Sequence, residues 1–348
     1  MINRIVTHFR PHADELIALM FLKNFPEGEE KFPGVQKAKI EFLTTGKLPD
    51  GKTYKDFPDT IFLGVGGGPF DEHESESQER SEGEVCATLV AKALGIENKP
   101  ELQGILKVVR DEDLSGAKEK DSLSVMIKFL HSCFKDDYEK IYKWSETAYM
   151  AHVRSFKKTG INKLFTLEET KKILKEENSN EFNEWISIID IAQKYQNDEY
   201  QKALKEFDEK AIKEVVTAYD GKQVSFSFIE SDNEEMSKAA RSRMSQLIVQ
   251  KNSRGNVFIF TYRKRNLDLS SVIVLLRLAE QHFAGDIKIK DTKTLSQIGI
   301  IENIPWYLFY TKDSIYNGSL TTKDIPPTKI PNNKLISIIK EGIAKKFI

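Results

Sequence analysis

The sequence predicts an α/β protein with a parallel-sheet domain first, a helical connector or insertion next, and a second, smaller α/β domain last. Three observations predict this order. Short apolar runs alternate with helical patterns over residues 1–121, charged helical patterns fill residues 122–216, and strand patterns return over residues 217–348. Strands separated by helices are typical of a parallel sheet that is covered by helices.

The first domain is predicted to open with a strand, NRIVTH, and to continue at once into a helix, DELIALMFLKNF. Two more strands are predicted in KAKIEFLTT and DTIFLGVGGG. EGEVCATLVAKALGI is an apolar helix that ends at Gly95, and ELQGILKVVRDED is helical throughout or has a polar end. Ligands bind beyond the carboxyl ends of parallel strands, so VTH and GVGGG mark the expected position of a site.

The middle segment contains the helical patterns SLSVMIKFLHSCF, KIYKWSETAYMAHV and TLEETKKILKEE, and the last begins with Thr166 and Glu169 at capping-box spacing. Its interleaved charges favour solvated helix faces over a binding track. In the last domain, the predicted strands are KQVSFSFIES, GNVFIFTYR, GDIKIK and PWYLFYTK, and the predicted helices are DLSSVIVLLRLAEQHF and NKLISIIKEGIAKKF.

The composition is that of an ordinary globular protein. Of the 348 residues, 40% are apolar and 30% are charged, and the formal net charge is −1, so no overall basic field indicates nucleic-acid binding. No apolar run approaches the roughly 18 residues of a membrane span, and the N-terminus lacks a signal-peptide core. Cys86 and Cys133 lie in apolar helical patterns and suggest no disulfide framework. We expect a cytoplasmic protein with no membrane partner, and we leave a homodimer open.

His8, His12 and Asp14 form the first candidate metal-binding cluster. His8 ends the first predicted strand, and the other two follow at offsets of four and six residues, so a turn from strand into helix brings them together. Imidazole nitrogen combined with carboxylate oxygen suits Mn, Zn or Fe better than Ca. Glu15 points about 100° away from Asp14 on a helix and is interpreted as a cap or as support for the ligands. The alternative is that these residues only cap the strand and the helix.

GVGGGPFDEH is the second candidate. Gly66, Gly67 and Gly68 permit positive φ angles and close backbone approach, and are predicted to contact the substrate. The stretch lacks the Lys-Ser/Thr of a P-loop and the glycine spacing of a dinucleotide fingerprint, which argues against a nicotinamide oxidoreductase. Asp71 and His73 share a face of an extended segment. They are the predicted catalytic residues, and His73 is also a candidate metal ligand.

VVRDEDLSG supplies the third candidate, Asp111 and Asp113. A carboxylate from this later element would complete a two-metal site that clamps the attacking and leaving oxygens of a phosphate ester. The alternative is an ordinary polar helix end or loop.

A basic segment in the last domain is the predicted substrate surface. KAARSRMSQLIVQKNSRGNVFIFTYRKR is rich in cations and almost free of acids, and clustered cations bind phosphate. The residues selected for this role are Arg241, Arg243, Lys251 and Arg254. A solvated surface fits the same pattern equally well.

The order THFRPHADE, GVGGGPFDEH, VVRDEDLSG resembles the DHH phosphoesterase superfamily, and in particular the branch named for the melanocyte-proliferating-gene product, a family of predicted metal-dependent exonucleases. The family's Thr-His and His-x-Asp-Glu are matched, with a gap one residue shorter, and its Val-Gly-Gly and Tyr-Asp-His-His are matched in part. The matching segments are Thr7-His8, His12–Glu15, Val65–Gly67 and Phe70–His73. The motifs cover roughly residues 5 to 116.

Two positions depart from the family pattern. The family carries a metal-bridging carboxylate before Val-Gly-Gly, where this chain has Gly64, and a histidine where this chain has Glu72. Weak two-metal occupancy, a single metal and a loss of catalysis are the alternatives that follow. Another is that Glu72 and Asp71 supply the missing oxygens from a shifted loop.

The resemblance implies that metal-activated water hydrolyses a phosphodiester of a nucleic acid or small nucleotide. It implies a divalent cation, with Mn preferred and Mg as the alternative. The implied metal ligands are His8, His12, Asp14, His73, Asp111 and Asp113. The rival hypothesis is a catalytically degenerate nucleotide-binding or regulatory protein on the same scaffold.

Overall fold

The computed structural model describes residues 1–43, 48, 51–72, 83–115, 121–135, 137–262, 267–301, 304–318 and 325–347. The chain divides into two compact units, Met1–Tyr195 and Gln196–Ile348. The predicted α/β class is confirmed, because the first unit holds a parallel three-stranded sheet and the second a mixed seven-stranded sheet. A separate domain over residues 122–216 stays a prediction, and the helices up to residue 195 belong to the first unit.

The sheet of the first unit has the order β2-β1-β3, with β1 (Arg4–His8), β2 (Lys39–Leu43) and β3 (Thr60–Leu63). Its helices are α1 (Ala13–Asn24), α2 (Pro26–Lys31), α3 (Cys86–Leu94), α4 (Pro100–Ser115), α5 (Leu123–Cys133), α6 (Tyr138–Thr159), α7 (Leu167–Glu176) and α8 (Phe182–Lys210), the last of which continues into the second unit.

The central strand β1 explains where a site can form. Ile5 points into the main core beside α1, whereas Val6 packs with Phe62 and Val65 in a smaller cluster. Helix α1 is buried along most of its length, since its side chains from Ala13 to Leu22 are all buried. The carboxyl end of β1 and the start of α1 therefore meet at one edge of the sheet, which is where α/β folds bind ligands.

Later helices close the core of the first unit. Trp144 on α6 and Trp185 on α8 stack with their ring centroids 5.1 Å apart. The indole N–H of each donates to the other's backbone carbonyl, at 3.3 and 3.2 Å. The same apolar core runs from Ile5 to Ala192, so strand β1 depends on helices that arrive more than a hundred residues later in the chain.

His152 is a buried histidine on α6. Its Nε2 lies 2.9 Å from the Thr170 hydroxyl, and its ring packs against Phe165 at 4.4 Å between centroids. Burial lowers the pKa of His152 to about 4. The folded state therefore favours the neutral ring.

Replacement of His152 by glutamine is expected to make the protein less sensitive to acid. A histidine in the unfolded chain titrates near 6.5, so the stabilisation by the neutral ring is complete above pH 6.5 and is lost as the pH falls toward 4. Between pH 7.5 and pH 5, the free energy of unfolding should fall by about 2 kcal/mol more in the wild type than in His152→Gln. Urea denaturation at both pH values measures this, and equal losses in the two proteins would contradict the assignment.

The second unit contains strands in the order β4-β5-β6-β7-β10-β9-β8, in which β5 and β6 pair in parallel and the other neighbours pair antiparallel. The strands are β4 (Ile212–Thr217), β5 (Gln223–Glu230), β6 (Leu247–Lys251), β7 (Val257–Thr261), β8 (Gly299–Ile301), β9 (Ile304–Leu308) and β10 (Ser314–Tyr316). The helices are α9 (Met236–Ser242), α10 (Ser270–Ala284), α11 (Thr292–Leu295) and α12 (Asn332–Ala344). Among the residues described, no helix has both the length and the apolar character needed to cross a bilayer.

Two predicted elements of this unit are wrong. Residues 212–216 were expected in the helical segment, but they belong to β4, which pairs with β5 across a turn at Gly221. GDIKIK was expected to be a strand, and it is not one. The reason is local: the backbone N–H groups of Lys288 and Ile289 both donate to the side-chain oxygen of Gln281, at 2.9 and 2.8 Å, and not to a neighbouring strand.

Arg277 on α10 organises one end of this unit. It is fully buried, and its guanidinium donates to backbone carbonyl oxygens at 2.5 to 3.2 Å. Those carbonyls belong to Leu295, Gln297, Gly299 and Trp306. Burial lowers the pKa of Arg277 to about 10, so the side chain is still a cation at neutral pH.

Candidate metal centre

Three residues from two helices form what we term the outer group: His12, Asp14 and Asp113. One potential ligand atom of each lies within 4.8 Å of the others. Two ligands of one divalent cation are at most about 4 to 5 Å apart, because each lies about 2.0–2.6 Å from the ion. His12 and Asp113 are exposed and Asp14 is buried, so the group extends from the surface to one buried carboxylate.

A second set, the inner group, consists of Asp14, Glu15 and Glu72. Their carboxylate oxygens also lie within 4.8 Å of one another, and all three residues are buried. Asp14 belongs to both groups. Its Oδ2 atom is buried and accepts no hydrogen bond from the residues that the structure describes. A buried carboxylate oxygen without a donor is costly unless a proton or a cation neutralises it.

Glu15 occupies the space beside Gly64. A Cβ atom placed on Gly64 would lie 2.9 Å from Oε1 and 3.2 Å from Cγ of Glu15. The other oxygen, Oε2, accepts the backbone N–H of His12 at 2.7 Å, and Oε1 lies 3.7 Å from Nε2 of His8. The expected role of Glu15 as a helix cap is therefore correct. The expectation that Glu15 points away from the site is wrong, because the same carboxylate caps α1 and belongs to the inner group.

We expect that an aspartate at position 64 can replace the carboxylate of Glu15 in the inner group. Gly64→Asp alone should destabilise the protein, because the new Cβ meets Glu15 and because Gly64 has a φ of 64°. In Glu15→Ala, the space is empty, and aspartate tolerates this backbone region better than most residues. The double variant should bind Mn²⁺ about tenfold more tightly than Glu15→Ala, as measured by calorimetry. Equal affinities would show that the two positions do not share one site.

The carboxylates of the inner group shift one another's ionisation. Burial raises the pKa of Asp14 well above its usual range, and the charge of Glu15 raises it further. Burial also raises the pKa of Glu15 to about 7, with an added contribution from Glu72. The pKa of the neighbouring Cys86 thiol is also raised, first by burial and then by the carboxylates around it. Without a cation, the raised pKa values favour protonated carboxyls in the inner group, and Asp14 and Glu15 are hydrogen-bonded to each other, so a cation bound there would displace protons.

Helix α4 brings one of its two candidate aspartates to the site. The VVRDEDLSG segment is helical up to Ser115, and residues two apart on a helix point about 200° apart. Asp113 joins the outer group, whereas Asp111 belongs to neither group among the described residues. Between them, the buried Glu112 accepts a short hydrogen bond from Ser124. This contact fixes the end of α4 against α5 and so orients Asp113.

The triple-glycine loop is shaped by its own backbone. Gly64, Gly66 and Gly67 all have positive φ angles. Asp71, a predicted catalytic residue, uses Oδ2 to accept the backbone N–H of Gly67 at 2.7 Å. Asp71 is thus placed to hold the loop. His73, predicted as ligand and catalytic residue, lies outside the described residues.

Contact between Gly66, Gly67 or Gly68 and a substrate stays a prediction. Positions that a Cβ would take on Gly66 and Gly68 face Phe62 and Tyr54 respectively.

Among the cations predicted to bind substrate, Arg241, Arg243 and Lys251 have partners within the second unit. Arg243 forms a two-pronged ion pair with Asp208, at 2.6 to 3.1 Å. Arg241 donates to the backbone and hydroxyl oxygens of Ser237. Lys251 donates to Asn332 at 2.6 Å, and Arg254 is exposed. Their role in binding a substrate stays a prediction.

The comparisons with known proteins leave the family open. No family model matches the chain, and no curated protein matches it. Among solved structures, the chain is similar to a DHH-domain protein described as a member of the s1p family of ribosomal proteins. That similarity has a TM-score of 0.47 and 12% sequence identity over 99% of this chain and 87% of the other. At this level, it shows neither the family nor the activity of this protein, whose site is defined by its own residues.

Proposed function

We propose that this protein is a divalent-cation-dependent phosphoesterase of the DHH type that hydrolyses phosphodiester bonds in a nucleic acid or small nucleotide. One observation supports this above the others. The buried Asp14 is shared by the outer and inner groups, as a carboxylate between two cations would be. The motif resemblance supports the reaction, and the geometry of the two groups supports the choice of ligands.

The residues present fit divalent cations. Oδ2 of Asp14 is buried without a hydrogen-bond donor among the described residues, which is a position that a cation would satisfy. The outer group combines imidazole with carboxylates, and the inner group contains carboxylates alone. Carboxylate sites suit Mg, Ca and Mn, and imidazole suits transition metals. Mn²⁺ is the ion that both sets accept, so we propose it as the preferred cation.

Each candidate residue of this chain would have its own role in such a site. A bound divalent cation supplies Lewis-acid activation of water and neutralises charge on a phosphate ester. Asp14, at the start of α1, would hold the cations. Glu15 accepts the backbone N–H of His12, which would fix the position of the Glu15 carboxylate. His12 and Asp113 are exposed, so a phosphate can approach the outer group from solvent. His73 stays a proposed ligand of a metal or of the scissile phosphate from its place in the motif.

A hydrolysis assay tests the proposal. Fluorescently labelled DNA and RNA oligonucleotides, dinucleotides and cyclic dinucleotides are incubated with the protein and Mn²⁺, with and without a chelator. We expect Mn²⁺-dependent cleavage in the wild type and in Asp111→Asn, and no cleavage in Asp14→Asn. Mn²⁺ binding without cleavage of any substrate would favour the non-catalytic, nucleotide-binding alternative. Absence of both would overturn the proposal.

A further inference from the structure

A cavity of about 660 Å³ opens inside the first unit between α1, β2 and the start of α6. We call it the α1–β2 cavity, and the residues that matter here are Thr7, Glu15, Ile40, Phe42 and Tyr138. Sites for small molecules commonly have volumes of about 300 to 1,000 Å³. The cavity therefore has room for a ligand of the size of a nucleoside.

The cavity and the candidate metal centre share a residue. Glu15 lines the cavity and belongs to the inner group. A molecule that fills the cavity therefore contacts one residue of the inner group. This continuity suggests one ligand with two parts, one part at the cation and the other in the cavity.

The walls of the cavity suit a flat, largely apolar group. Leu16 and Leu19 of α1 and Ile40 of β2 contribute aliphatic surface. Phe42 and Tyr138 add two aromatic rings that stack on each other, with their centroids 3.7 Å apart and an interplanar angle of 25°. Aromatic side chains bind nucleobases by stacking, and every base has a face that can take part.

One buried polar residue, Thr7, lines the cavity. The Thr7 side chain is only 2% exposed, and its Oγ1 has no hydrogen-bond partner among the residues that the structure describes. Buried hydroxyl groups normally find a partner, since leaving one without costs free energy. A base has donors and acceptors on its edge, so its polar edge can satisfy Thr7 while its faces meet the apolar walls.

The charges at the cavity argue against a second phosphate there. The ammonium group of Lys23 donates hydrogen bonds to the backbone carbonyl oxygens of Gln36 and Ala38, at 2.9 and 3.0 Å. Lys39 lines the cavity together with the acidic residues Glu15, Asp137 and Glu139, so the lining has no excess of positive charge. The part of the ligand in the cavity is therefore uncharged, and its one phosphate belongs at the cation.

From these observations, we infer that the α1–β2 cavity binds the nucleobase of the nucleoside attached to the scissile phosphate. The inference rests on the proposed function and deepens it, because it assigns nucleotides, and the terminal nucleotides of chains, as the substrate class. Phosphate esters without a base would bind only through the cation.

Calorimetry with adenosine 5′-monophosphate and ribose 5-phosphate, with Mn²⁺ present, tests this inference. The wild type should bind the nucleotide at least about tenfold more tightly than the sugar phosphate. Ile40→Trp places a large side chain in the cavity and should reduce that preference to less than about twofold. Its Mn²⁺ affinity should stay within about twofold of the wild-type value. Ile161→Trp, the same change at an exposed isoleucine of the first unit, should keep the wild-type preference.

The outcomes separate the cavity from the metal centre. Equal affinities of the wild type for the two ligands, or a preference that persists in Ile40→Trp, would overturn the inference and leave the proposed function standing. If the wild type binds no Mn²⁺, the proposed function fails, and the same pair of ligands without Mn²⁺ decides the cavity by the same criterion. If Ile40→Trp does not fold, Thr7→Val replaces it, and we expect the preference to fall about fivefold.

Discussion

The substitution Asp14→Asn is expected to lower Mn²⁺ affinity by at least about 100-fold. Loss of a residue that merely supports a metal ligand costs about 10- to 100-fold, and Asp14, the proposed ligand, offers a carboxylate oxygen to both the outer and the inner group. Calorimetric titration of the purified variants measures the affinity. The matched control is Asp111→Asn, which removes a carboxylate of α4 that belongs to neither group among the described residues and should bind like the wild type.

The same substitution should change stability in opposite directions with and without the cation. Without Mn²⁺, Asp14→Asn is expected to be more stable than the wild type by about 1 to 3 kcal/mol, because it removes a buried carboxylate beside that of Glu15. With Mn²⁺, the wild type gains stability by mass action and the variant does not. Thermal unfolding with and without Mn²⁺ shows both effects. A variant that kept the Mn²⁺-dependent rise in melting temperature would rule out Asp14 as the shared ligand.

The second large effect is expected at Arg277. Arg277→Met should lower the free energy of unfolding of the second unit by about 4 kcal/mol or more. The guanidinium donates to several backbone carbonyls, and each buried carbonyl left without a donor costs about 1 to 3 kcal/mol. Hydrogen exchange read by mass spectrometry follows the two units separately in the intact protein.

Arg243→Met is the matched comparison for Arg277. Arg243 is exposed and its main partner is the exposed Asp208, and surface ion pairs contribute about 0 to 1 kcal/mol. If the two substitutions cost the same, the buried arginine has no special structural role. If the loss at Arg277 spread equally over both units, the effect would not be the local one described here.

Elements with a local cause were predictable from the sequence. The apolar helix α3 ends at Gly95, which has a φ of 69°, as the glycine suggested. Thr166 caps α7 by accepting the backbone N–H of Glu169 at 3.2 Å, as the capping-box spacing suggested. In both cases, the deciding residues are within a few positions of the boundary. The alternation of strands and helices in the first 121 residues is of the same kind.

Two elements were missed although the groups that decide them lie close by in the chain. Strand β4 looks like the end of a charged helical segment, and what makes it a strand is its pairing with β5. The polar-apolar alternation of GDIKIK is genuine, yet Gln281 takes up the backbone N–H groups that a neighbouring strand would need. In both cases a specific hydrogen-bonding partner decides the backbone, and the apolar pattern carries no information about it.

The candidate site was predicted in part. His12, Asp14 and Asp113 could be named from their motifs, and the helical geometry of α4 explains why Asp111 does not accompany Asp113. His8, predicted together with His12 and Asp14, belongs to neither group among the described residues. Glu15 was expected only as a cap or a support, and Glu72 only as one alternative source of oxygens. The sequence did hold a signal for Glu15, since a glycine at position 64 leaves room for a side chain from elsewhere, but only the packing of α1 over β3 shows which one enters.

The long reach of the first core has a consequence for synthesis on the ribosome. All three strands of the first sheet are complete by Leu63, but the tryptophan pair that closes their core needs Trp185. A nascent chain must therefore emerge almost to Tyr195 before the earliest strands are sheltered from water. Until then, they are exposed to chaperones and to other nascent chains. Codon changes that slow translation between residues 64 and 185 should lower the soluble yield more than equal changes after residue 195.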